Sequence, residues 1–284
     1  MTSGVCQYRK DIDGLRALAI VPVVLFHAGL PGFTGGYIGV DVFFVISGFL
    51  ITSMIQGEIK EGRFSLRNFY ERRSRRIFPA LFTLLAVCTM AAALLLYPED
   101  YQRYARSLIA ATLFLSSYLF NRESGYFDGG AEEKPLLHTW SLSVEELFYV
   151  FFPMLLAIAW RLRGERWAKV LQIAALISFS ASVLVMQLEV SSNSAFYLAQ
   201  YRAWEFLIGA LLALYTAAPS VDGRRANLFI TAGLLMILGP VVSYSEKTPF
   251  PGVAALLPCL GAALIIRFGQ QATSVTRWLL MNKI

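Results

Sequence analysis

The first apolar stretch of the chain carries an arginine and a histidine at a spacing that suits chemistry. Arg16 and His27 lie eleven residues apart, close to three helical turns, so both project from one face about 16 Å apart along the axis. An ionisable side chain in a membrane segment costs about 2.5–3.5 kcal/mol or more and normally has a role. We therefore favour a functional His27 over a histidine that only bonds two helices together. Arg16 is equally consistent with a side chain that snorkels to water.

A second acidic group lies at the start of the next apolar run. Asp41 follows the glycine-rich string 35–40 (GGYIGV), whose glycines allow two helix backbones to approach closely. The carboxylate is placed to orient His27 or to pair with an arginine. Taken alone, Asp41 fits an N-terminal helix cap better, because the helix dipole favours an acid there.

The segment 138–149 (HTWSLSVEELFY) carries the most informative pattern of polar residues. A helix over this segment would align four polar side chains on one face, with Glu146 flanking it: His138, Ser141, Glu145 and Tyr149. Acids are favourable in a first helical turn. A stripe of His, Ser, Glu and Tyr goes beyond what that placement needs, so the segment is a candidate site.

The densest charge cluster lies in the segment 70–76 (YERRSRR), whose arginines are Arg72, Arg73, Arg75 and Arg76. Guanidinium forks match phosphate oxygens, so the cluster is a candidate site for a phosphorylated ligand. On the residues alone we favour the alternative, a cytoplasmic loop that contacts anionic lipids. Farther along, Arg202 and Glu205 have the i,i+3 spacing of a structural ion pair.

The elements that must position these residues are membrane helices. The chain is 56% hydrophobic and only 15% charged, whereas a soluble domain has about a quarter charged residues. Because a spanning helix needs about 20 mostly apolar residues, we predict an all-α polytopic bundle of about eight or nine segments. Nine candidate runs are present: 15–31, 37–56, 77–97, 105–120, 139–160, 168–188, 203–217, 227–245 and 251–267.

The basic residues orient this bundle. Arg9 and Lys10 precede the first run, and seven Lys and Arg residues lie in 57–76, so both segments are predicted to be cytoplasmic. Counting every run as a span puts the basic loop 161–169 on the opposite side, against the same rule. Either one of runs three to five is re-entrant, 105–120 being the shortest, or the rule fails at this loop.

Composition also argues against several classes of protein. The net charge of +6 follows membrane topology, so no nucleic acid partner is predicted. Three cysteines without a CxxC pair and only two histidines predict neither a disulfide framework nor a metal site. Acidic and basic residues at the start of the first run predict an uncleaved helix rather than a signal peptide.

Five strings, in this order, resemble the membrane acyltransferase family 3, the bacterial membrane O-acyltransferases. They run through most of the chain and are long enough that an accidental match is improbable. The strings are 8–27 (YRKDIDGLRALAIVPVVLFH), 35–52 (GGYIGVDVFFVISGFLIT), 69–80 (FYERRSRRIFPA), 135–153 (PLLHTWSLSVEELFYVFFP) and 202–209 (RAWEFLIG).

The resemblance implies an enzyme that takes an acyl group, usually acetyl, from acyl-CoA on the cytoplasmic side. The acceptor is a hydroxyl of a cell-surface or envelope glycan, or of its lipid-linked precursor. His27 matches the catalytic position, and Asp41 and Glu146 lie in matching motifs, where either would fix the imidazole tautomer. The arginines that match the family's pattern would hold the CoA phosphates: Arg16, Arg72, Arg73, Arg75 and Arg76.

The resemblance also sets the expected organisation. We expect one acyltransferase domain over 1–284, in the bacterial inner membrane, with acetyl-CoA as donor substrate and no bound cofactor. Family members usually continue past 277–280 (RWLL) into another helix region, often followed by an SGNH domain, whereas the sequence ends at Ile284. A partner supplying that region is one expectation. The alternative functions are a transporter or flippase for a small anionic or lipid-linked substrate and an inactive truncated remnant.

Overall fold

The computed structural model describes residues 9–123, 134–160, 165–188, 192–215, 221–245, 247–271 and 273. All regular structure in these ranges is helical, as predicted. The helices are α1 (Lys10–His27), α2 (Gly39–Lys60), α3 (Leu66–Leu95), α4 (Pro98–Thr112), α5 (Ser116–Arg122), α6 (Thr139–Trp160), α7 (Glu165–Gln187), α8 (Ser192–Tyr197), α9 (Ala199–Leu214), α10 (Gly223–Ser243) and α11 (Leu256–Phe268).

Six helical segments in the described ranges are long and apolar enough to cross a membrane. They contain α2, α3, α6, α7, α10 and α11. Large apolar side chains remain exposed along them, as a lipid-facing surface requires; examples are Phe151, Ile177 and Leu235. The chain is therefore a multi-pass membrane protein.

The apolar run 105–120 does not form a spanning helix. It is divided between α4, of 15 residues, and α5, of 7 residues, both below the length of about 20 that a span needs. The break falls at Phe114, which has a φ of 56°. The re-entrant or interfacial alternative for this run is the one that agrees with the structure.

The helices have two recognisable ends. Ile55 of α2, Phe69 of α3, Leu156 of α6 and Leu171 of α7 pack into one apolar cluster. The end of α2, the start of α3, the end of α6 and the start of α7 therefore lie together, and we call this the basic end. His27 lies at the opposite end, which we call the histidine end.

This arrangement removes the conflict over the loop 161–169. Because α6 ends and α7 begins at the basic end, Lys169 lies on the same side as the start of α3. Arg161 and Arg163 lie outside the described residues, as does the segment 277–280.

Glycines set the closest helix contacts of the bundle. A Cβ on Gly48 would lie 1.9 Å from the carbonyl oxygen of Phe206, and one on Gly209 would lie 1.9 Å from that of Val45. Only hydrogen at these positions lets α2 and α9 approach so closely. Gly36 and Gly39 likewise lie against backbone carbonyls of α1, so the close approach predicted from the string 35–40 is confirmed.

Candidate functional site

The run 15–31 predicted that His27 lies in the middle of a helix. In the structure, α1 ends at His27. Gly29 and Gly32 adopt positive φ angles of 69° and 88°, and Pro31 lies between them, so the helix cannot continue. The imidazole is exposed. Its Nδ1 lies 2.7 Å from the carbonyl oxygen of Val23. A carbonyl accepts only, so Nδ1 is the donor, and in the neutral tautomer of the ring the lone pair is on Nε2.

The second histidine of the chain lies directly beside the first. His138 occupies the turn before α6, and its ring centroid is 4.4 Å from that of His27 with an interplanar angle of 87°. Partial removal of water around the ring lowers the pKa of His138, and the neighbouring His27 lowers it further. His138 is therefore neutral at pH 7, with one ring N–H and one lone pair.

Residues of α1, α2, α3 and α6 line an open cavity of about 410 Å³. Its polar lining consists of Arg16, Ser47, Arg76 and Glu145. The polar faces that the sequence predicts on α1 and α6 therefore lie against each other at two places. Arg16 and Glu145 share the cavity, and His27 and His138 are in contact at the histidine end.

The cavity carries two guanidinium groups and one carboxylate. Glu145 accepts hydrogen bonds from the hydroxyl of Ser47 at 2.6 Å and from that of Tyr149 at 2.5 Å. Arg16 lies 3.4 Å from Asp13, a long contact between two half-exposed side chains. No carboxylate of the described chain lies within 4.0 Å of Arg76. Arg76 therefore offers an anionic ligand a guanidinium that no carboxylate of the described chain occupies.

The other three arginines of the cluster have acidic partners of their own. Arg72 pairs with Glu58 at 2.5 Å, and Arg75 pairs with Glu71 at 2.7 Å. Arg72 and Arg75 thus have acidic partners, whereas Arg76, on the same stretch of α3, has none in the described chain.

Arg73 does not line the cavity but binds two acids of α6, of which the cavity residue Glu145 is the more distant at 3.9 Å. Its Nε and Nη2 donate to one Glu146 oxygen at 2.9 and 2.6 Å, and its guanidinium lies 3.2 Å from the centre of the Tyr149 ring. Sequence reasoning singled out Glu146 as the site acid, but Glu145 faces the cavity. The helical period that aligns His138 with Ser141 also selects Glu145, and Glu146 is turned toward α3.

Asp41 belongs to a different cluster, between α2 and α9. Its carboxylate lies 3.1 Å from Arg202, which lies 3.2 Å from Glu205, and all three side chains are 0% exposed. Four aromatic rings surround the guanidinium at 5.4–5.8 Å, those of Phe44, Trp140, Phe196 and Phe250. The ion pair predicted for Arg202 and Glu205 is present.

Neither carboxylate that we expected to orient His27 does so in this structure. Asp41 pairs with Arg202, Glu146 pairs with Arg73, and the backbone of α1 holds the imidazole. The physical reason is that each acid has a guanidinium nearby, and a buried charge pairs with the opposite charge before it bonds to a neutral ring.

Among the residues that the structure describes, one group of side chains could hold a metal ion. The ligand atoms of Asp41, Glu205 and Cys259 lie within 4.8 Å of one another, and all three residues are buried. The Arg202 guanidinium already binds both carboxylates and supplies the positive charge that a cation would bring. The donor set therefore does not favour a metal.

These features define a class of protein: a multi-pass helical membrane protein with an open cavity lined by arginines and, at the end of α1, a pair of histidines in contact. A comparison with known families matches residues 9–284 to acyltransferase family 3, described as an acyltransferase domain. The chain belongs to this family, and the membership that the sequence motifs predicted is confirmed.

Individual relatives agree with the family. An uncharacterized protein of Haemophilus influenzae is 36% identical over 244 residues, which are 81% of this chain and 98% of that protein. BcsY of Komagataeibacter xylinus, whose name describes a membrane-bound transacylase, is 33% identical over 96% of this chain and 68% of its own length.

The O-acetyltransferase OatA of Staphylococcus aureus is 32% identical over 210 residues, which are 73% of this chain. The match spans about a third of OatA, 34% of its length. No solved structure matches the chain significantly.

Proposed function

We propose that this protein is an O-acyltransferase that moves an acetyl group from acetyl-CoA to a hydroxyl of a cell-surface or envelope glycan. The observation that carries the proposal is the layout of α1. One face of this helix presents Arg16 to a basic cavity and ends at His27, whose Nε2 is free to accept a proton. The names of BcsY and OatA support the acyl and acetyl transfer chemistry.

The spacing on α1 suits coenzyme A. From Arg16 to His27 the helix rises about 16 Å. The phosphopantetheine arm joins pyrophosphate to sulfur through thirteen bonds, as many as about four residues of polypeptide, so it extends to about 15 Å. CoA phosphates held by Arg16 and Arg76 would therefore present the thioester near His27.

Charge favours entry of the donor from the cytoplasm. The loop between α2 and α3 and the arginines of α3 lie at the basic end, and loops rich in Lys and Arg stay on the cytoplasmic side. We accordingly place the protein in the bacterial inner membrane, with the basic end in the cytoplasm. The glycan hydroxyl would then meet the thioester at the histidine end.

The proposed chemistry assigns the proton to His27. The acceptor hydroxyl has too high a pKa to attack unaided at pH 7, so Nε2 of His27 takes its proton as the oxygen attacks the thioester carbon. When the C–S bond breaks, the imidazolium returns that proton to the CoA thiolate. The products are the O-acetylated glycan and free CoA.

The test uses His27→Gln, which keeps a hydrogen-bonding side chain but cannot act as the base. In cells that lack the native gene, we expect base-labile acetate on envelope glycans to fall about 10²–10⁴-fold relative to wild type. CoA affinity of the purified variant, measured by calorimetry, should not change, because the imidazole is about 16 Å from the arginines.

Two results would contradict the proposal. Acetylation at the wild-type level with matched expression of His27→Gln would remove His27 from the chemistry. Failure of the wild-type protein both to restore acetylation and to bind CoA would refute the proposed reaction itself.

A further inference from the structure

The acyl transfer proposed above needs more than one base. As the hydroxyl attacks, negative charge develops on the carbonyl oxygen of the thioester, and a fixed hydrogen-bond donor at that oxygen is worth a large part of the rate. His27 cannot supply this donor. Its Nδ1–H is bonded to the carbonyl of Val23, and its Nε2 is occupied with the incoming proton.

His138 is placed to fill this gap. Its ring touches that of His27 edge to face at 4.4 Å, although it comes from the turn before α6 and is distant in the sequence. Because the ring planes are nearly perpendicular, at 87°, the nitrogens of the two rings lie in different planes and the rings can address different atoms of one reacting group. The chain contains two histidines, and the fold brings them together at one point.

The other ring beside His27 lacks such a group. Phe26 packs against His27 with a centroid distance of 4.9 Å and an angle of 79°, but it offers no donor. Both contacts are edge to face, at 4.4 Å for His138 and 4.9 Å for Phe26, and the His138 ring differs in carrying an N–H.

The protonation state of His138 fits the role of a neutral donor. Desolvation of the ring and the neighbouring His27 lower its pKa below the ordinary value for histidine. At pH 7 the ring keeps one N–H and is uncharged, so it does not oppose the charge that His27 acquires during the reaction.

We infer that His138 is a second catalytic residue, whose ring N–H holds the thioester carbonyl oxygen while His27 removes the proton from the acceptor. This inference rests on the proposed function. The hydroxyl oxygen bonds to the carbonyl carbon, its proton passes to Nε2 of His27, and the negative charge resides on the oxygen bound to His138. The carbonyl then reforms, the C–S bond breaks, and the thiolate takes the proton from His27.

The decisive variant is His138→Phe, which keeps a ring against His27 but removes the N–H. We expect acetate on envelope glycans to fall about 10²–10³-fold, the usual effect of deleting one such donor. His138→Gln restores a donor and should lose markedly less. Phe26→Leu, which removes the other edge-to-face ring contact of His27, serves as the control and should remain near wild type.

Each variant is also purified and titrated with CoA, so that loss of the donor site is separated from loss of the chemical step. A large decrease for His138→Phe with unchanged CoA affinity and partial rescue by Gln supports the inference. Wild-type acetylation by His138→Phe would show that the histidine only packs, and equal losses for Phe and Gln would exclude a donor role. If the wild-type protein itself transfers no acetyl group, the proposed function fails first.

Discussion

Two groups of charged side chains on the helices of the bundle are built in opposite ways, because one is buried and the other is open to solvent. The closed cluster of Asp41, Arg202 and Glu205 is completely buried, and its guanidinium lies within 3.2 Å of both acids. The open site places Arg16 and Arg76 on a cavity of about 410 Å³. In the first cluster each charged group lies beside a group of opposite sign, whereas the second leaves Arg76 without an acidic partner in the described chain and available for a ligand.

This difference shows how the role of a charged side chain in an apolar helix can be inferred. Burying any ionised group is costly, so its presence indicates a role. That role is structural when an opposite charge of the same chain compensates it, because the pair then connects two helices. An exposed arginine points to a ligand for another reason, namely that it lines a cavity and has no carboxylate of the described chain within 4.0 Å, as at Arg76. The presence of a charge alone does not separate these cases.

The largest effect is expected in the closed cluster. Arg202→Met leaves two buried carboxylates without a cation, and removal of one partner from a buried pair typically costs about 3–5 kcal/mol. We expect a lower midpoint for thermal unfolding in detergent, followed by the loss of monodisperse protein. The triple variant Asp41→Asn, Arg202→Met, Glu205→Gln removes all three charges and should unfold at a higher temperature than the single variant. Equal stability of wild type and Arg202→Met would contradict the structural role that we assign to the closed cluster.

The next effect concerns the open site. Arg76→Ala should weaken CoA binding about 10–100-fold, the loss of one hydrogen bond to a charged group, and should leave the unfolding temperature unchanged. Arg75→Ala is the matched control, since Arg75 is 79% exposed and paired with Glu71. Calorimetric titration with CoA measures both. An equal loss of CoA affinity in the two variants would show that the arginines act only through their general positive charge and that Arg76 has no specific contact with CoA.

The smallest effect on the binding of the CoA donor is expected at Arg73. This residue lies in the arginine cluster of the open site, but it is paired with an acid, as Arg202 is in the closed cluster. Arg73→Ala deprives Glu146 of its partner, so the variant should be less stable, yet CoA affinity should decrease less than in Arg76→Ala. Adding Glu146→Gln should recover part of the stability. A loss of CoA affinity as large as that of Arg76→Ala would move Arg73 from the structural to the ligand-binding group.

Much of the fold and part of the site could be predicted from the sequence because they depend on local periodicity. Apolar runs identified the long helices, the eleven-residue spacing placed Arg16 and His27 on one face, and the glycines of 35–40 indicated close helix contacts. These properties follow from the rise and the period of a single helix.

Only the tertiary structure decided which charges meet. Four arginines within five residues of α3 look equivalent in the sequence, yet three have acids on other turns or helices and Arg76 faces the cavity. The same holds for Asp41 and Arg202, and for His27 and His138, whose contacts join helices far apart in the chain. Helical spacing fixes the direction of a side chain, but its partner depends on how remote helices pack.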